Sequence, residues 1–208
     1  MAFKAHAGEQ YTIRQKILKI FGAAFHIYDA EGEVIGYCKQ KAFRFREKLI
    51  LYTDESQNES LLTIEARTIL DFGTTYDVDD GDGTRLGSVR RKGLKSMLRD
   101  EWAVLDPGES EVATLKEDSM GKALIRRFAE PVAVFMPQKF EVTHADGRHL
   151  AVFRTHFNPF VYRLGIAINQ DSELPVDEMM LLATAFLIAA IEGRQSSEGS
   201  GSGLFSGE

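Results

Sequence analysis

One cysteine, one tryptophan and five prolines are spread over 208 residues. The lone thiol, Cys38, excludes an internal disulfide framework and a multi-cysteine zinc site. No apolar stretch reaches the roughly 20 residues a membrane-spanning helix needs. The amino terminus, residues 1–10, has no apolar core of the kind an export signal carries. Positive charge is also short: 25 Lys and Arg stand against 31 Asp and Glu, a formal charge of −6. That acidity argues against nucleic acid as a partner, because phosphate backbones select basic footprints. With a reduced thiol, a cytoplasmic protein is expected, either free or peripheral to a membrane. There is no GxxxxGK[ST], no GxGxxG after a strand, and no serine in a nucleophile elbow. No catalytic, cofactor or metal residue is therefore assigned.

What is present is apolar weight: 44% hydrophobic residues, 14 of them Phe, enough for a sizeable core. A pattern recurs at unequal intervals. Phe25-His-Ile27 runs into Asp29 and Gly32, then Val34-Ile35-Gly36. Tyr76-Asp-Val78 runs into residues 79–83, then Leu86-Gly87. Trp102-Ala-Val104 runs into Asp106-Pro107-Gly108, then Val112-Ala113. Phe140-Glu-Val142 runs into Asp146-Gly147, then Leu150-Ala151. Alternate side chains of a strand share a face, so each aromatic points the same way as the β-branched residue two along. Asp and Gly tolerate the positive φ of tight turns. Four antiparallel hairpins follow. Further strands are expected at residues 11–20, 42–46, 61–70 and 159–168, with a short helix at 120–128.

Near the end the character changes. Pro175-Val-Asp177-Glu178 suits a helix start, with proline early and acids at the positive dipole end. MMLLATAFLIAAI (residues 179–191) is apolar on every side, and Gly193 is the expected stop. Leaving its large side chains in water would forgo on the order of 12–24 kcal/mol, more than a domain's whole stability of about 5–15 kcal/mol. Its length, about 20 Å, is too short for a bilayer core of about 30 Å. The helix is expected inside a sheath of strands.

FHIYDAEGEVIG (25–36), GSVRRKGLKSMLRDEWAVLD (87–106) and LPVDEMMLLATAFLIAAIEG (174–193), in this order, resemble the tubby C-terminal-like superfamily, most closely its LURP-one-related branch, with phospholipid scramblases more distant. The resemblance implies a mainly β fold: a closed antiparallel barrel of about 12 strands around a central hydrophobic C-terminal helix. It implies a domain over residues 11–194, with the helix at about 175–192, after an N-terminal extension (1–10); the Ser- and Gly-rich composition of residues 195–208 reads as a flexible tail. It also implies a binding module rather than an enzyme, with anionic phospholipid, a membrane surface or a protein as partner. The alternatives are a protein-interaction scaffold that binds no lipid and a scramblase-like lipid-associated protein. The Cys-rich segment and Pro-rich arm of scramblases are missing.

The candidate anion or lipid site is the run Arg85, Arg90, Arg91, Lys92, Lys95 and Arg99, with no acid between its ends. The preceding residues 54–82 carry nine acids against one Arg, so charge is segregated along the chain. A second run, Lys39, Lys41, Arg44, Arg46 and Lys48, reads chiefly as an amphipathic strand. Asp77, Asp79, Asp80 and Asp82 look like a calcium loop, but no start gives the EF-hand register, and a hairpin tip is expected. His144 and His149 would face each other across a two-residue Asp146-Gly147 turn. His156, at odd offset from His149, would not join them as a third metal ligand. Cys38 and Trp102 are expected in the core.

Overall fold

The computed structural model describes residues 5–18, 22–40, 48–67, 74–92, 101–118, 138–156, 158, 161–170 and 174–199. Twelve strands come first: β1 (Tyr11–Leu18), β2 (Gly22–Tyr28), β3 (Val34–Gln40), β4 (Lys48–Tyr52), β5 (Ser60–Ala66), β6 (Thr75–Asp80), β7 (Arg85–Arg91), β8 (Glu101–Leu105), β9 (Glu111–Glu117), β10 (Lys139–His144), β11 (His149–Thr155) and β12 (Tyr162–Ile168). One helix, α1 (Glu178–Gly199), follows. Each strand pairs antiparallel with its sequence neighbours, and β1 pairs with β12, closing the barrel. Closure removes every free sheet edge.

The four repeated units are the hairpins β2–β3, β6–β7, β8–β9 and β10–β11, and they share one construction. In each, the register shifts just after the β-branched residue: at Ile27/Tyr28, Val78/Asp79, Val104/Leu105 and Val142/Thr143. The next residues close a three-residue loop whose last member has positive φ: Gly32, Gly83, Glu109 and Gly147. In the first three, an aspartate opens the loop and its carboxylate accepts the N–H four residues on, in each case at 2.8 Å: Asp29 from Glu33, Asp80 from Thr84, Asp106 from Ser110. This is a turn followed by a bulge, not the two-residue loop expected at Asp146-Gly147.

The helix occupies the lumen. Asp177 caps it, its carboxylate accepting the Met179 N–H at 2.7 Å. Pro175 thus lies ahead of the helix rather than in its first turn. Every residue from Met180 to Ile191 is buried. They form one cluster with the inward side chains of the strands, among them Ile13, Phe25, Leu62, Val89, Trp102, Leu115, Phe140, Phe153 and Ile166. α1 touches β12 and β1 on one side and β5 and β7 on the far side. Gly87 lets the wall come close: a β-carbon there would stand 2.3 Å from the Leu105 carbonyl oxygen and 3.4 Å from Met180 Sδ. The helix does not stop at Gly193 but runs to Gly199. One glycine costs a helix only about 1 kcal/mol relative to alanine, too little to end it alone. The expected strand at 42–46 and helix at 120–128 lie outside the described residues, as does the chain beyond Gly199.

Candidate binding surface

Arg85, Arg90 and Arg91 lie on β7, and Lys92 follows it. Lys95 and Arg99 are outside the described residues. Alternation sends Arg90 to the outer wall and Arg91 toward the lumen, beside the inward residues Val89 and Trp102. The Arg91 guanidinium stands 5.5 Å from the centre of the Trp102 ring.

The outward cations do not stand alone. Arg85 reaches Asp77 at 2.9 Å and Asp79 at 2.5 Å. Its hydrogen bond to Asp79 raises its pKa and holds the charge in place. Arg90 donates to Thr75 Oγ1 at 3.2 Å and lies 3.5 Å from a Glu109 carboxylate oxygen. Lys92 bridges Glu101 at 3.1 Å and Glu111 at 2.6 Å. Burial pulls the Lys92 pKa down, but the two carboxylates outweigh it and the net direction is up. Arg67 of the β5–β6 connection joins the same lattice, bonded to Glu109 and, at 2.7 Å, to Asp77. Arg67 and Glu109 were not singled out from sequence. They are 42 residues apart, and the consecutive pairing of β5 to β9 brings them together.

Asp77 and Asp79 are thereby spent on arginines, while Asp80 caps its own turn. Among the described residues no three His, Cys, Asp or Glu side chains are grouped to hold a metal. The expected facing of His144 and His149 does not occur, because the bulge places His149 opposite Thr143. His144 instead holds Asp146 at 2.8 Å, and that carboxyl is held below the usual range by the Arg148 backbone N–H first and His144 second. Beside it a half-open groove of about 520 Å³ runs over the outer wall between β9 and β10, lined by Glu111, Thr114, Lys116, Thr143 and His144 among others. Of the second basic run, the described members Lys39 and Lys48 are exposed at their strand ends. Cys38 and Trp102 are core residues, 3% and 2% exposed.

The chain matches the LURP-one-related family over residues 36–186. It belongs to that family. The matched span takes in all of residues 87–106 and the helix as far as Phe186, and begins at the last residue of the 25–36 segment. Among solved structures it is similar to the X-ray structure of a protein from Arabidopsis thaliana, at 15% identity and a TM-score of 0.47, covering 93% of this chain and 100% of that one. No curated protein matches its sequence.

Proposed function

We propose that this LURP-one-related protein is a binding module without a chemical step, working through the outer wall of its barrel around β7. One observation carries the reading: α1 fills the lumen with buried side chains from Met180 to Ile191, which leaves the place where barrels usually hold small ligands occupied by the chain itself.

The ligand chemistry proposed is an anionic phospholipid headgroup, met by the outward cations Arg85, Arg90 and Lys92 of the run that Lys95 and Arg99 continue in sequence, while Arg91 faces inward onto Trp102. Binding requires exchange. Each outward cation must trade a carboxylate for a headgroup. An exposed ion pair is worth about 0.2–1 kcal/mol. A cation near an anionic leaflet gains about 1 kcal/mol. The net gain per residue is small, so attachment needs several cations at once and stays peripheral, on the cytoplasmic face, and sensitive to salt. No helix among the described residues is long and apolar enough to cross a membrane.

A second reading is a scaffold that meets proteins. It is favoured by the alternation of both signs in the Arg67, Asp77, Arg85, Asp79 lattice, which suits a mixed-charge protein surface better than a uniformly anionic one. Vesicles with and without phosphatidylserine, mixed with the protein at low and high salt, decide between them. Co-sedimentation with anionic vesicles at low salt only, reduced by Arg90→Gln with Lys92→Gln, supports the lipid reading. Equal recovery in the supernatant from both vesicle types removes it and leaves the protein-binding one.

A further inference from the structure

On the opposite side of the barrel, where β1 meets β12, a second group of charges gathers on the outer wall. Arg14 and Arg163 stand directly opposite one another in the antiparallel register. Like charges so placed repel, and both are only partly exposed. Burial first, and Arg14 second, lower the pKa of Arg163, while Glu9 acts the other way. Within the same register Thr12 faces Gly165. Thr12 is fully buried, and its hydroxyl has no hydrogen-bond partner.

The chain just ahead of β1 adds a negative charge to this group. A turn closes from the Glu9 N–H to the His6 carbonyl at 3.1 Å, with Gly8 at φ +84°. Glu9 then folds over Gly165, where a β-carbon would stand only 2.0 Å from Glu9 Oε1. The same oxygen lies 2.6 Å from His156 Nε2, and the His6 ring stacks on His156 with centroids 3.8 Å apart. The Glu9 side chain is 8% exposed, yet its Oε2 is buried without a partner. Two guanidinium groups, an imidazole, a hydroxyl and a glycine notch are the donor set of an oxyanion site. A carboxylate meets it incompletely, leaving one oxygen and one hydroxyl unused. A phosphoryl group brings three terminal oxygens and a charge of about −1.5 to −2 at neutral pH.

We infer that the notch formed by Thr12, Arg14, His156, Arg163 and Gly165 is a phosphoryl-binding site, and that Glu9 is a built-in competitor which occupies it until a phosphorylated ligand displaces the N-terminal turn. Glu9 is two residues from β1, so its effective concentration at the site is high and weak anions are excluded from the wild-type protein. The site is independent of the β7 surface, six strands away around the ring, and stands or falls separately from the lipid reading.

The test titrates inorganic phosphate, at matched ionic strength, into the full chain and into Glu9→Gln, followed by NMR chemical shifts. Glu9→Gln is expected to bind about tenfold more tightly or better. Adding Arg163→Met, or Arg14→Met, is expected to abolish the gain. Equal affinity for wild type and Glu9→Gln, or a gain that survives either methionine, overturns the site. Thermal midpoints keep the answer available if Glu9→Gln is unstable: phosphate is expected to raise its midpoint where chloride does not, and equal responses count against the site. Glycerol phosphate and phosphatidic acid vesicles separate the sources. A gain for the first points to a soluble ligand, and a gain confined to the second to a membrane headgroup. Either, if lost with Arg163→Met, supports the site; a gain for neither overturns it.

Discussion

The ring of Phe186, in the middle of α1, meets the ring of Phe25 on β2 edge to face, with centroids 5.4 Å apart and planes at 89°. Both side chains are fully buried. The contact ties the helix to the wall, so its loss reports on the central feature of the fold. Phe186→Ala is expected to cost about 3–5 kcal/mol in urea unfolding, as is Phe25→Ala. An edge-to-face pair adds about 0.5–1.5 kcal/mol beyond buried area. The double variant should therefore depart from additivity by about that much. Strict additivity would mean that the two rings do not meet in solution.

Glu109 holds the position that glycine holds in the other three repeated hairpins, at φ +67°. Its side chain compensates by bonding Arg67 and Arg90. Arg67 keeps Asp77 if Glu109 is removed, so the ionic loss is partial. The left-handed penalty of a side chain is larger than a screened surface pair. Glu109→Gly is therefore expected to raise the thermal midpoint by about 2–4 °C, and Glu109→Ala, which keeps the strain and loses the bonds, to lower it by a similar amount. Calorimetry that ranks wild type above Glu109→Gly would show the ion pairs to be the stronger effect.

The hairpins were legible because their signals are local. Asp29, Asp80 and Asp106 announce their turns within five residues, and the aromatic two places before each β-branched residue marks the inner face. The helix was legible from composition alone, since thirteen residues with no polar side need a dry place. The bulges were not: a shift of one residue at Val142/Thr143 has no separate sequence mark, and it carried His149 away from His144. Nor were the ion pairs. Glu9 and His156 lie 147 residues apart, and Arg67 and Glu109 lie 42 apart. The first pair is fixed by barrel closure and the second by the lateral packing of consecutive hairpins, neither of which one sequence read along its length contains. The run from Arg85 to Lys92 was legible as charge and in part as pairing: Asp77 and Asp79, which hold Arg85, lie in the same hairpin, whereas Glu101, Glu109 and Glu111 reach it from the next.

Cys38 lies on β3, 3% exposed, and burial pushes its thiol up to about 12 from an ordinary value of 9.0. The folded state therefore holds this proton more tightly than the unfolded chain does. The stability it contributes is fully present below pH 9 and is lost as pH rises from about 9 to 12. One such group gives a slope of up to about 1.4 kcal/mol per pH unit over that window. Tyr11, raised to about 12 by burial and by its hydrogen bond to Glu178, adds a second loss that begins only near pH 10. The two are separable between pH 9 and 10. Urea unfolding across that interval should show a decline in wild type that is much flatter in Cys38→Val, while Tyr11→Phe leaves it unchanged there. Parallel profiles for wild type and Cys38→Val would place the thiol in water. The same burial makes it slow toward water-soluble thiol reagents, because the thiolate cannot form until the wall of the barrel opens.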